Sequence, residues 1–174
     1  MTIFHTARLA LHEFTTVDAA FIIELLNSES YIKYIGRRNI HTPEEAKKYI
    51  ADNFEKSYTE KGFGFYVMEL ISDKSPIGIC GIVKRDWLDD VDLGFALLPE
   101  YEGKGYANEA SQAMLDYSLT VLNIKKIAAI TMKENRGSIK LLKKLGLKEN
   151  GTVIHPDEKV KLMLFVYANT AALN

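Results

Sequence analysis

The stretch "VDLGFALLPEYEGKGYANEA", residues 91–110, decides how the rest of the chain is read. Its first half is an apolar run with β character that stops at Pro99, a residue without a ladder N–H, so it reads as a strand. Its second half opens a helix, "GYANEASQAMLDYSLTVLN", in which Ala110, Met114, Tyr117 and Val121 recur on one stripe. Between the two, Gly103 and Gly105 flank Lys104. Glycine accepts positive φ and lets a ligand approach the main chain, while a helix N-terminus offers unpaired N–H groups and the positive end of the dipole. Two readings stand open: a tight strand-to-helix turn, or a cradle for an anion such as a pyrophosphate. A G-x-x-x-x-G-K-[ST] phosphate loop is excluded, because Lys104 is followed by Gly105. A dinucleotide fingerprint is excluded too, since Asn108 holds its third glycine position and the loop follows an antiparallel run.

Upstream, "FGFYVMELI" and "PIGICGIV" are strands joined by "SDKS", which makes a hairpin running into the strand already described. "HTPEEAKKYIADNFEKSYTEKG" is a helix with Thr42 as N-cap, Pro43 in the first position and Glu45 completing a capping box; Gly62 ends it. "TTVDAAFIIELLN" is helical with Thr16 as its cap, "SESYIKYIG" is a short helical piece ending at Gly36, and "RLALHEF" is a first strand. Downstream, "KKIAAITMK" is a strand, "NRGSIKLLKKLG" a short helix closed by Gly146, and "LKENGTVI" and "KVKLMLFVYA" two last strands around "HPDE". Adjacent strands argue for antiparallel pairing; the strand–helix–strand step across the glycine loop argues for one parallel pair.

The 174 residues predict one domain, 1–174, with no repeat or linker. A net charge of −1 gives no field for nucleic acid or acidic membranes. No apolar run spans a bilayer and the charged first residues do not form a signal peptide, so a cytoplasmic protein is expected. The one cysteine, Cys80, sits in an apolar run and reads as a buried hydrophobe. The four histidines show no ligand spacing, so no metal is expected.

Taken together, loop, strand and element order resemble the GNAT superfamily of acetyl-CoA-dependent N-acetyltransferases. The superfamily's phosphate loop, Gln/Arg-x-x-Gly-x-Gly/Ala, is matched by Glu102-Gly103-Lys104-Gly105-Tyr106-Ala107, with Glu102 departing at the first position. "TARLALHEF", "LGFALLPEYEGKGYANEA" and "ENRGSIKLLKKLGLKENG" are similar to segments of the RimJ/RimL branch, the ribosomal-protein N-terminal acetyltransferases; Leu147 stands where an aromatic is usual. The resemblance implies an α+β fold, an α/β/α sandwich. Its mixed, mostly antiparallel central sheet has about seven strands, splayed between the fourth and fifth, and helices on both faces.

It also implies the site. Acetyl-CoA is the cosubstrate, held by main chain freed at a bulge over Phe95, Ala96, Leu97 and Leu98 and by the loop from Glu102 through Gly103, Lys104, Gly105, Tyr106 and Ala107 to Asn108. Asn135 either touches the pantetheine arm or caps the closing helix. Lys140, with Arg136, either meets the 3′-phosphate or keeps the surface soluble. An amine attacks the thioester directly, so no protein nucleophile is needed. Asp92 is the base to be tested, against its alternative as a solvated strand end beside Asp89 and Asp90. Leu142 stands where some members carry a tyrosine acid, leaving Ser138 as the nearby hydroxyl, which alternatively caps the helix. The expected function is acetyl transfer from acetyl-CoA to a primary amine, a protein N-terminus or small molecule, whose specificity comes from residues 28–42 and the hairpin near His155; the protein is a monomer or homodimer. The alternative is a non-catalytic CoA-binding regulatory or scaffold module of the same fold.

Overall fold

The computed structural model describes residues 1–168; the last six residues of the expected 1–174 domain lie outside the described part. Among the described residues, one eight-stranded sheet organises the fold. Its strands are β1 (Thr2–His5), β2 (Leu9–Glu13), β3 (Phe65–Leu70), β4 (Pro76–Val83), β5 (Val91–Leu97), β6 (Lys126–Thr131), β7 (Lys148–Ile154) and β8 (Lys161–Ala168), in spatial order β1-β2-β3-β4-β5-β6-β8-β7. Every neighbouring pair is antiparallel except β5 and β6. The expectation of about seven strands is corrected to eight. "TIFH" is four residues long and only half-covered, too short for a period-two pattern to register. The parallel pair joins the two segments expected, now the fifth and sixth strands.

Each sheet face carries its own core, because successive side chains point to opposite faces. In β3, Tyr66 and Met68 pack into a cluster with Ala110, Met114 and Leu142, while Val67 joins Ile22, Ile50 and Phe54 on the other face. The first face is covered by α5 (Tyr106–Thr120) and α6 (Arg136–Lys144). The second is covered by α1 (Ala19–Leu26) and α3 (Pro43–Ile50), with α2 (Glu29–Tyr34) alongside and α4 (Lys56–Lys61) continuing the run. This is the three-layer sandwich expected.

Local chemistry sets the helix ends. Thr42 Oγ1 accepts from the Glu45 amide at 3.2 Å and Glu45 Oε2 accepts from the Thr42 amide at 2.9 Å, the capping box expected of that stretch. The expected single helix after it is interrupted by a π turn over Ala51–Glu55. The cap at the start of the first helical run is Thr15 rather than Thr16, because Thr15 and Asp18 form their own box ahead of a 3-10 turn. The buried stripe of α5 is Ala110, Ser111, Met114, Leu115 and Ser118, whereas Val121 is 58% exposed past the last turn. Apolar letters miss the two serines. Ser118 satisfies its hydroxyl inside the helix, donating to the Met114 carbonyl at 2.7 Å, so it is buried without an orphaned polar group.

A polar clamp ties the β1–β2 connection to the start of α5. Glu109 Oε1 accepts from Thr6 Oγ1 at 2.6 Å and from the Arg8 amide at 2.8 Å; its Oε2 accepts from Arg8 Nε at 2.6 Å. Burial alone would raise the Glu109 carboxyl, but the bonds from Thr6 and Arg8 outweigh it and hold the group below its ordinary range. A depressed folded-state value gives a contribution that is complete above the unfolded value, about 4.3, and lost as pH falls through the folded one. Glu109→Gln is therefore expected to be less stable than the wild type to urea above about pH 5 and to converge with it in stronger acid. A gap that stays constant down to low pH would remove the clamp from the account.

Candidate active site

β5 and β6 share only two register pairs, Val91 with Ile127 and Asp92 with Ala128. β6 stays paired with β8 from Lys126 to Thr131, and β5 stays paired with β4 from Asp92 to Leu97, so beyond Asp92 the two strands part. The Leu98 amide donates to the Ile77 carbonyl at 2.9 Å. Counting back by twos, Ala96 and Gly94 also face β4, and the main-chain groups of Leu93, Phe95 and Leu97 face the gap. The expected bulge in this strand is absent: the β4–β5 register runs without a shift. Divergence from β6 frees the main chain, with no extra residue needed.

The gap opens into a cleft of about 950 Å³, within the size range of small-molecule sites. Of the residues expected there, Asp92, Phe95, Ala96, Leu97, Glu102, Gly103, Gly105, Ala107, Asn108, Asn135, Ser138 and Lys140 line it together. Leu98, Lys104 and Tyr106 do not. Leu98 is buried in the second core with its amide taken by Ile77. The Lys104 ammonium lies over the Tyr101 ring at 5.6 Å, and the Tyr106 ring is covered by the Arg8 guanidinium at 4.3 Å.

At one end of the cleft the glycine loop has the conformation its composition calls for. Gly103 has φ +73° and Gly105, the residue before α5, has φ +85°. No side chain caps α5, and its first intrahelical bond runs from the Glu109 amide to the Gly105 carbonyl. The amides of Tyr106, Ala107 and Asn108 thus have no helical partner, and the dipole places partial positive charge beside them. That is the donor set a pyrophosphate requires. Arg8 holds the loop from outside the cleft: its Nη1 donates to the Lys104 carbonyl at 3.1 Å. Sequence reasoning missed this role, because Arg8 reads only as the polar partner in an alternating strand. Glu102 is exposed at the loop's start and lines the cleft.

On the last rung before the strands part, Asp92 is 2% exposed, which excludes the solvated-strand-end alternative. Its Oδ2 accepts from Arg85 Nε at 2.6 Å, and its Oδ1 is buried without a partner. Burial pushes the carboxyl above its ordinary value, against the opposing pull of the Arg85 guanidinium and the Ile130 amide. Arg85 was also missed; it lies two residues past Val83, the register partner of Asp92, so the signal was the hairpin register itself.

Nearby, Asn135 Oδ1 accepts from the Ser138 amide at 3.0 Å, so Asn135 caps α6 and Ser138 does not. Leu142 is a core residue, 1% exposed. Cys80 is fully buried and its thiol is pushed up to about 12, as befits an inert hydrophobe.

The far end of the cleft is walled by residues 30–36, Arg38, His155 and Glu158, within or beside the two stretches expected to meet an acceptor. Trp87 packs edge-on against His155 with centroids 5.1 Å apart, joining the β4–β5 connection to the β7–β8 turn. The π turn contributes Asn53 and Phe54 to the same wall.

The model of the acetyltransferase (GNAT) domain family matches residues 8–148. A curated relative, the uncharacterized N-acetyltransferase YnaD of Bacillus subtilis (strain 168), is 30% identical over 150 residues, 84% of this chain and 82% of that protein. The ribosomal-protein-S5-alanine acetyltransferase of Vibrio fischeri superposes with a TM-score of 0.80 at 20% identity, covering 96% of each chain. The spermidine N-acetyltransferase of Vibrio cholerae, solved with CoA and spermine, superposes with a TM-score of 0.76 at 23% identity, covering 95% of this chain and 98% of that one. At these identities the two structures speak to the fold.

The loop geometry makes two predictions for acetyl-CoA binding, measured by calorimetry or thermal shift. Gly105→Val forces a β-branched residue into a left-handed conformation and is expected to abolish binding; unaltered affinity would remove the loop from the site. Glu102→Gln removes a negative charge at the rim of the glycine loop and is expected to tighten binding by about fivefold or less at low salt, an effect that salt suppresses.

Proposed function

The chain belongs to the GNAT acetyltransferase domain family, and from that premise we propose that it moves an acetyl group from acetyl-CoA to a primary amine within a ternary complex. The observation that carries this reading is the meeting of three features in one cleft: the unpaired edge of β5, the uncapped start of α5, and the buried carboxylate of Asp92. The donors fit the cosubstrate. The amides at the start of α5 suit its pyrophosphate, the free main chain of Leu93, Phe95 and Leu97 suits its amide-bearing arm, and Lys140 suits a terminal phosphate.

Acetyl-CoA supplies an acyl group already activated as a thioester. The chain supplies placement and proton transfer. The cleft walls hold amine and carbonyl in one orientation, removing the entropy cost of their encounter. A free amide of β5 is the donor for the charge that develops on the carbonyl oxygen. Asp92 takes the proton an ammonium must lose, directly or through one water. The C–N bond forms first, giving a tetrahedral oxyanion; its collapse breaks the C–S bond, and the CoA thiolate takes up the second proton shed by the nitrogen, leaving the N-acetylated amine and CoA.

Burial above the ordinary carboxylate range suits this role, since a base works best when its proton affinity lies closer to the working pH. The sign follows: kcat/KM rises with pH as Asp92 loses its proton. Thermal shift with acetyl-CoA, ATP and NADH tests the cosubstrate, and thiol release tests transfer over an amine panel led by spermidine and alanine-terminated peptides. Stabilisation by ATP or NADH alone would defeat the reading; tight acetyl-CoA binding without thiol release would favour the non-catalytic alternative. Asp92→Asn is expected to lower turnover by about a hundredfold or more, to erase the acidic limb of the pH profile, and to leave acetyl-CoA affinity unchanged.

A further inference from the structure

Asp92 has one carboxylate oxygen engaged and one free. Oδ2 takes a charge-assisted bond from Arg85 Nε at 2.6 Å; Oδ1 is buried with no hydrogen-bond partner. Buried orphaned oxygens are rare; this one belongs to a residue that lines the cleft, and although the Ile130 amide faces the carboxyl, no group of the chain completes a hydrogen bond to Oδ1. A buried carboxylate without a counter-charge would neutralise itself and could no longer take a proton. Arg85 is the counter-charge, and its guanidinium is itself held: it lies 5.9 Å from the centre of the Trp87 ring, which packs edge-on against His155. A buried ion pair contributes little net stability, so the pair is poorly explained as structural support.

From this arrangement, and resting on the acetyl-transfer reading, we propose that Arg85 is a positioning residue: it keeps Asp92 ionised and leaves Oδ1 as the oxygen that receives the proton of the acceptor amine. The proton passes from the ammonium nitrogen, or from a bridging water, to Oδ1; the nitrogen lone pair so released forms the new bond to the acetyl carbon, the C–S bond then breaks, and the CoA thiolate leaves with the nitrogen's second proton. Arg85 neither gains nor loses a proton.

Other charges around Asp92 do not replace Arg85. In its own connection, the Lys84 ammonium is engaged by the Leu88 and Asp89 carbonyls, and Asp90 pairs with Lys126 at 2.9 Å. From β6 the Ile130 amide faces the carboxyl. Across the cleft stand Lys33, Arg38, His155 and Glu158, and α6 brings Lys140 and Lys144. None of these forms a salt bridge to Asp92 among the described residues; Arg85 does.

The test compares wild type, Arg85→Gln and Arg85→Lys in two readouts: the Asp92 carboxyl titration by carbon-13 NMR, and kcat/KM against pH with an accepted amine. Acetyl-CoA affinity serves as the control for folding. In Arg85→Gln the carboxyl midpoint and the acidic limb are expected to move to higher pH together. The rate at neutral pH falls about tenfold or more and recovers as pH rises. Arg85→Lys keeps the charge and is expected to retain most of the wild-type profile; it also serves as the informative variant if Arg85→Gln loses acetyl-CoA binding. A midpoint that does not move, or one that moves while the rate profile stays put, overturns the role given to Arg85. A wild type that binds acetyl-CoA but acetylates no amine overturns the transfer reading and the base with it, an outcome separate from failure of Arg85 alone.

Discussion

Two residue pairs hold β5 to β6, and the functional architecture depends on there being no more. A strand inside a sheet has its main-chain donors and acceptors used on both sides. Here β5 is fully paired to β4 but released from β6 after Asp92. Release creates three things at once: a gap wide enough for a ligand, a row of main-chain groups that need partners, and a last rung on which a side chain can be buried yet line the gap. A sheet that stayed closed would offer none of them. A wider split would leave Asp92 exposed and unable to keep a raised proton affinity.

Charge is distributed along this gap with a direction. One end presents amides and the positive terminus of α5, braced from behind by the Arg8–Glu109 clamp. The rung from which the gap opens carries a buried carboxylate balanced by one guanidinium. Glu102 is the discordant element, an exposed acid at the rim of an anion cradle. The cradle works through main-chain donors, so Glu102 modulates rather than prevents binding, and solvent screens much of its effect.

How much of this was legible in the sequence follows from which forces are local. The capping box at Thr42 and Glu45, the positive φ of the glycine loop and the antiparallel run β3–β4–β5 are set by neighbours in the chain, and all were readable. The strand β1 was not, being too short to show a period. Nor was the π turn at Ala51–Glu55, which needs the sheet it packs against to explain it. At the site, the glycine loop was read from its letters, but the state of Asp92 was not. Whether an acid at a strand end is solvated or buried depends on what closes over it; Arg85 does so from the connection after β4, and only the pairing of Val83 with Asp92 across the hairpin, not the letters around Asp92, points to it. The expected bulge failed for a related reason: a strand can lose its partner through the partner's path alone.

The sheet's last strand bears on how copies of this chain meet one another. β7 lies at the edge, and six of its seven residues are exposed. Its pairing with β8 shifts register between Glu149 and Thr152, across Gly151 at φ +85°, and it opens with Lys148 and Glu149. A kinked, charged edge is a poor template for an incoming strand. Growth of the sheet from chain to chain is thereby discouraged at this margin, one of the two edges of the sheet, the other being β1.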